Sequence, residues 1–267
     1  MVGRASVRTW PWLSLLVLFG CGGQPQDVAA TDQQAKTPAP IQLAQATTGA
    51  GAGKTGSGVI RGSAAFNGTA PAMEKISMAA DPACQQQHTD PVLSEAVVVN
   101  ANGTLKNVFV YVKEGVAGSY PPPATPVTLD QHGCWYQPHI LGVQVGQPLD
   151  IVNSDPTLHN VNAKPTTNQP FNIAQPVKGM KTSKKFTKPE IMVSTKCNVH
   201  PWMQAYLGVV DHPFFAVSGA DGSFEITGLP AGTYTLAAWH ERYGTQTAQV
   251  TVGDGETATA DFAFEAQ

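Results

Sequence analysis

The 267-residue chain sets 16 Lys and Arg against 19 Asp and Glu, a formal net charge of −3, and only 13% of its residues are charged. This slightly acidic balance gives no sign of a nucleic-acid partner. Its 26 Gly and 21 Pro favour many turns over long helices, and the length suffices for one or two domains with proper cores.

Arg4 and Arg8 precede an apolar run from Trp10 to Phe19, too short to span a bilayer but suited to a signal-peptide core. Leu18-Phe19-Gly20-Cys21 resembles the bacterial lipobox. The resemblance implies a signal segment over residues 1–20, cleavage before Cys21 and diacylation of its thiol, which would anchor the chain to a membrane. Gly22 after that Cys leans toward the outer membrane of the cell envelope, with the folded part in the periplasm. An ordinary secretory signal with a chance Cys is the alternative. Residues 21–57 are rich in Gln, Ala, Thr, Pro and Gly without a hydrophobic period, and read as a disordered tether.

From Val59 onward, short runs of alternating or β-branched residues recur between turn signals, and no segment carries a long helical period. The fold class is all-β. Expected strands cover Gly58 to Phe66, Glu95 to Val99, Lys106 to Val112, Val127 to Asp130, Ile140 to Val145 and Leu149 to Asn153. Asn102-Gly103 is a hairpin signal, because both residues tolerate positive φ. Tyr120-Pro-Pro-Pro123 breaks the pattern and marks a boundary.

Cys197, His200 and Met203 place a thiolate, an imidazole and a thioether within seven residues, a donor set that suits copper. A blue-copper site needs a second imidazole from another strand, and His159 is the obvious donor. The loop Cys197-Asn-Val-His200-Pro201-Trp-Met203, with Asn153 and His159-Asn-Val upstream, resembles the cupredoxins, most of all the amicyanin type with its short ligand loop. That resemblance covers about residues 125–211. It implies a Greek-key β-barrel over residues 121–211, one mononuclear type 1 copper held by His159, Cys197, His200 and Met203, and an Asn153 side chain tying the two ligand loops together. It also gives His200, Pro201 and Trp202 the docking of a redox partner protein, although Trp202 reads equally well as a core aromatic. Lys178, Lys181, Lys184, Lys185 and Lys188 form a basic stretch ahead of the ligand strand, read mainly as a solvated hairpin face, with steering of an acidic redox partner as the alternative.

Asp221-Gly222-Ser-Phe224-Glu-Ile226-Thr-Gly228-Leu-Pro230-Ala-Gly232-Thr-Tyr234 resembles the carboxypeptidase regulatory-like, transthyretin-type sandwich. Asp-Gly makes a turn, Phe224 and Ile226 alternate inward, and Pro230 with Gly232 shapes the next turn. Gly58-Val-Ile60-Arg-Gly62 fits the opening strand of that family. The expected organisation is therefore a sandwich split between residues 58–120 and 212–267, with the copper domain at 121–211 inserted. The simpler arrangement leaves the N-terminal strands against the copper barrel.

With Cys21 assigned to lipid and Cys197 to metal, Cys84 and Cys134 remain, in a compartment where disulfides persist, and a bridge between them is expected. The alternative is a second metal site built from Cys134 with His88, His132 or His139. His212 and His240, the latter beside Glu241, read as isolated surface imidazoles, with a second metal site or an interface between the two modules as the alternatives.

The expected function is single-electron transfer by a membrane-anchored blue copper protein that is not an enzyme. Copper oxidases and nitrite reductases carry a His beside the ligand Cys, whereas Lys196 and Asn198 flank Cys197 here. A binuclear copper site needs a second Cys four residues earlier, where Val193 stands. The alternatives are a copper carrier without a redox role and a surface binding module with a non-functional copper loop.

Overall fold

The structure, a computed structural model, describes residues 53–266. The expected signal segment, Cys21 and the tether as far as residue 52 lie outside the described residues. The chain opens with β1 (Gly58–Asn67), the four-residue helix α1 (Pro82–Gln85) and β2 (Phe109–Glu114). A middle series follows: β3 (Val127–Gln131), β4 (Tyr136–Gln137), β5 (Ile140–Gln144), β6 (Leu149–Asn153), β7 (His159–Ala163), β8 (Phe171–Gln175), β9 (Lys181–Lys184), β10 (Glu190–Lys196) and β11 (Gln204–Val210). The last series is β12 (Phe215–Val217), β13 (Ser223–Leu229), β14 (Gly232–His240), β15 (Gly244–Val252), β16 (Thr257–Thr259) and β17 (Phe262–Glu265).

These strands build two sandwiches. In one, a sheet ordered β5-β11-β10-β7-β8 faces a sheet ordered β4-β3-β6-β9. Their inward residues, among them Leu129, Val143, Ile151, Val161, Val193 and Leu207, form a core that also takes in Met78 and Cys84 from the segment before β2. In the other, β12-β2-β14-β15 faces β13-β1-β16, with β17 paired to β1. Early and late strands share this second sandwich directly: β1 runs antiparallel to β13 and β2 antiparallel to β14. Alternation drives the choice of face. Ile60, Ala64 and Phe66 of β1 and Phe224 and Ile226 of β13 all turn into the same core.

The two sandwiches meet through a third cluster, in which Phe109, Ile140 and Val210 are surrounded by Tyr111, Met192, Tyr206, Phe215, Val217 and Trp239. Gly142 and Gly208 are paired across β5 and β11. Neither has a side chain to hold the second sandwich away: a Cβ on Gly208 would lie 2.5 Å from the Phe109 ring, and one on Gly142 would collide with Phe215. Glycine here is a packing requirement, allowing an aromatic layer to rest on bare backbone.

One expected strand is absent. Residues 95–99 form only a single bridge, Val99 to Leu105, around the Asn102-Gly103 turn. The β-branched run is spent on a short local hairpin, while Glu95 is drawn aside by Lys106 Nζ at 2.9 Å and Trp135 Nε1 at 2.7 Å.

Candidate metal centre

Three chain segments converge at one end of the first sandwich. His159 is the first residue of β7, Cys197 follows the last residue of β10, and the loop from Cys197 to Met203 leads into β11. That loop closes on itself: the Cys197 N–H donates to the Met203 carbonyl at 3.2 Å, and the Met203 N–H to the His200 carbonyl at 3.0 Å. The His200 N–H points at Cys197 Sγ from 3.4 Å. Pro201 has no N–H to satisfy and sits exposed at the turn.

Inside this frame the donor atoms face one another. His159 Nδ1 lies 2.9 Å from His200 Nδ1, and Cys197 Sγ lies 3.9 Å from His200 Nδ1. Sγ and one nitrogen from each of the two rings fall within 4.8 Å of one another, and all three residues are buried. Met203 is fully buried at the end of the loop.

The opposite edges of both rings are held by carboxylates. His159 Nε2 is 2.8 Å from Asp155 Oδ2, and His200 Nε2 is 2.9 Å from Asp81 Oδ2. An ionised carboxylate only accepts, so each ring must place its N–H on Nε2. Both Nδ1 atoms are then lone-pair acceptors held 2.9 Å apart. Such an arrangement is repulsive unless a proton or a metal cation sits between them, and a carboxylate–histidine pair behind each donor is the usual support of a metal-binding imidazole.

The protonation preferences point the same way. Burial opposes charge on His159, but its contacts with Asp155 and Cys197 outweigh that and raise its pKa. Burial likewise opposes ionisation of Cys197, yet His159 and the backbone N–H groups of Asn160, His200 and Val199 bring its thiol below the ordinary value. Asp155, fully buried, is lowered against its own burial by His159 and by the N–H groups of Cys134 and Gly133. Asp81 is lowered chiefly by its hydrogen bond to His200. A sulfur donor beside two oriented imidazoles, shielded from water, fits a soft or borderline cation such as copper.

Asn153 donates through Nδ2 to the carbonyls of Thr157 and Gln175, and its Oδ1 accepts the Asp155 N–H. It therefore ties the loop before His159 to β8. The residue that spans the two ligand segments is Asn160, whose Oδ1 accepts the Asn198 N–H and lies 3.5 Å from Cys197 Sγ. Trp202 is half-buried, with its indole N–H on the Cys134 carbonyl at 3.0 Å and its ring 5.0 Å from that of His200.

Cys84 and Cys134 are joined by a disulfide, and Cys197 is the free cysteine among the described residues. Two other groups of three potential ligands include Cys84 or Cys134, whose bonded sulfurs have no thiolate to offer. Among the described residues, His88, His132, His139, His212 and His240 fall in none of these groups. His88 donates to the Gly133 carbonyl, His139 contacts Glu241, and His212 donates to the Val112 carbonyl; His212 and His240 are buried, not on the surface as expected. His240 accepts the Arg242 N–H and is pushed down to about 4, mainly by burial. Of the basic stretch, Lys181 pairs with Asp150, and Lys184 lies over the Phe171 ring.

Residues 207–265 match the family model of the carboxypeptidase regulatory-like domain. The match runs from within β11 through β17. Solved structures similar to part of the chain include cupredoxins. A reduced amicyanin variant is 23% identical over 32% of this chain and 81% of its own, with a TM-score of 0.28. The purple cupredoxin of Nitrosopumilus maritimus is 19% identical over 32% of this chain and 98% of its own, with a TM-score of 0.27. The copper-containing nitrite reductase of Thermus scotoductus is 24% identical over 38% of this chain, with a TM-score of 0.29, and the match spans 25% of that enzyme's length. No curated protein matches the sequence.

Asp81, Asp155 and Asn160 are not among the site residues expected from the sequence. Asp155 sits in Asn-Ser-Asp-Pro, which reads as a turn, and Asp81 precedes Pro82 as a helix cap. Asn160 adjoins His159, and that proximity was the available signal.

Proposed function

We propose that the chain is a type 1 copper protein that carries single electrons and transforms no substrate, anchored through Cys21 to the bacterial cell envelope and serving a redox partner protein. The observation that carries this reading is the facing pair of Nδ1 atoms, 2.9 Å apart, with the Cys197 sulfur beside them and a carboxylate behind each ring. Copper held by His159, Cys197, His200 and Met203 would supply one-electron redox chemistry at this point. The chain's own contribution is rigidity: β7, β10 and β11 are adjacent in one sheet, and Asn160 locks the loop after Cys197 to the strand carrying His159. Ligands fixed in this way move little between redox states, which keeps the reorganisation accompanying electron transfer small.

Enclosure favours retention over delivery of the ion, since His159, Cys197, His200 and Met203 are all buried. The test is voltammetry of the copper-loaded protein in the presence of a Cu(I) chelator. Reversible cycling with copper retained supports electron transfer. Loss of the ion to the chelator on reduction supports a carrier and overturns the proposal.

A further inference from the structure

The segment between β1 and β2 lies over the metal centre. Met78 and Cys84 are buried in the core of the first sandwich, with Ile76 and Val92 packed against it, and Cys84 is bonded to Cys134. The Ile76 N–H donates to the Val92 carbonyl, closing the segment into a loop. At its centre is Asp81, the N-cap of α1. Its Oδ1 accepts the N–H groups of Ala83 and Cys84, and its Oδ2 faces His200 Nε2 at 2.9 Å and Thr157 Oγ1 at 3.5 Å. Cys84 Sγ lies 3.5 Å from the same His200 nitrogen. Only 2% of His200 is exposed.

We propose that Asp81 is a positioning residue of the metal centre: it fixes the His200 ring with the proton on Nε2, frees Nδ1 for the metal, and places a negative charge behind that ligand. The helix cap and the disulfide make this contact part of the fold, since one oxygen is committed to α1 and the segment is bonded to residue 134. The proposal rests on the copper reading for its effect on potential, whereas its effect on the ring proton does not.

Two consequences are measurable. Asp81→Asn can keep the capping oxygen on the Ala83 and Cys84 N–H groups, so α1 is preserved. Its amide NH₂ then meets His200 Nε2, which must become an acceptor, and the proton shifts to Nδ1. In ¹⁵N-labelled, metal-free full-length protein, the His200 ring is expected to be protonated on Nε2 with slow hydrogen exchange. Asp81→Asn is expected to show an Nδ1 proton, and Asp81→Ala an exchanging ring without preference. With copper bound, Asp81→Asn is expected to weaken Cu(II) binding by about 10-fold or more, the lower end of the range for lost outer hydrogen bonds. The Asp81 charge favours Cu(II) over Cu(I), so its removal with a tenfold loss of Cu(II) affinity relative to Cu(I) raises the potential by about 59 mV.

A purely structural role for Asp81 predicts a lower melting temperature with the proton and the potential unmoved, and that result overturns the proposal. A wild-type His200 that carries no proton on Nε2 in the metal-free protein overturns it without any variant. Failure of the wild type to bind copper defeats the functional reading alone, and Asp81 is then judged on the ring proton, which shifts in Asp81→Asn or refutes the assignment.

Discussion

Replacement of Asp155 tests whether the metal centre is preorganised by the protein. Asp155 Oδ1 accepts the Gly133 N–H at 2.8 Å, and Oδ2 accepts both the Cys134 N–H at 2.7 Å and His159 Nε2–H at 2.8 Å, all in a fully buried position. Asp155→Ala strands three buried donors. At roughly 1–3 kcal/mol for each unsatisfied group, the loss is at least about 3 kcal/mol, a large part of the stability of an ordinary domain. Asp155→Asn keeps shape and one carbonyl oxygen. Oriented with that oxygen on Cys134 and His159, it opposes its NH₂ to the single Gly133 N–H, so its penalty is about 1–3 kcal/mol, smaller than that of Ala. Urea denaturation of the metal-free, disulfide-intact protein measures both, with copper affinity as a second reading of His159 orientation. An Ala variant within about 0.5 kcal/mol of wild type would show that these donors are not held by Asp155, since surface changes alone stay within that range. Asn and Ala variants of equal cost would show that charge, and not the count of hydrogen bonds, carries the effect.

Two other perturbations read the frame around the site. Cys84 and Cys134 are 50 residues apart, and the loop-entropy relation gives a loss of about 4 kcal/mol when both become Ala; a shift in denaturation midpoint worth less than about 1 kcal/mol contradicts that. Burial pulls Glu190 upward, but the N–H groups of Thr166 and Asn168 and both their side chains outweigh it and hold the carboxyl at about 2. Because this lies below the ordinary 4.5, the stability contributed by Glu190 is complete above that value and is lost as pH falls toward 2. The melting-temperature gap between wild type and Glu190→Gln is therefore expected to be widest near neutral pH and to close in acid, and a pH-independent gap refutes the assignment.

Much of the β architecture could be read from alternation: the inward Ile60, Phe66, Phe224 and Ile226 follow the period of two directly. Residues 95–99 misled because β-branched composition says that a segment suits a pleated surface, not that a neighbouring strand exists to pair with it. Cys197, His200 and Met203 stand out in the sequence because their donor chemistry is concentrated in one loop. Asp81 was not, as 119 residues separate it from His200 and its local context explains it fully as a helix cap. The Gly142 and Gly208 pair was equally silent, since a glycine that admits a distant aromatic ring looks in sequence like any other.

The central claim is that His159, Cys197 and His200 form one copper site with a thiolate ligand. Adding one equivalent of Cu(II) to the purified protein and recording visible absorption and paramagnetic resonance, beside a Cys197→Ala control, tests it most directly. An intense thiolate-to-copper band that saturates at one equivalent and is absent from the control is expected. A wild-type protein that stays colourless, or a band that survives in Cys197→Ala, contradicts it.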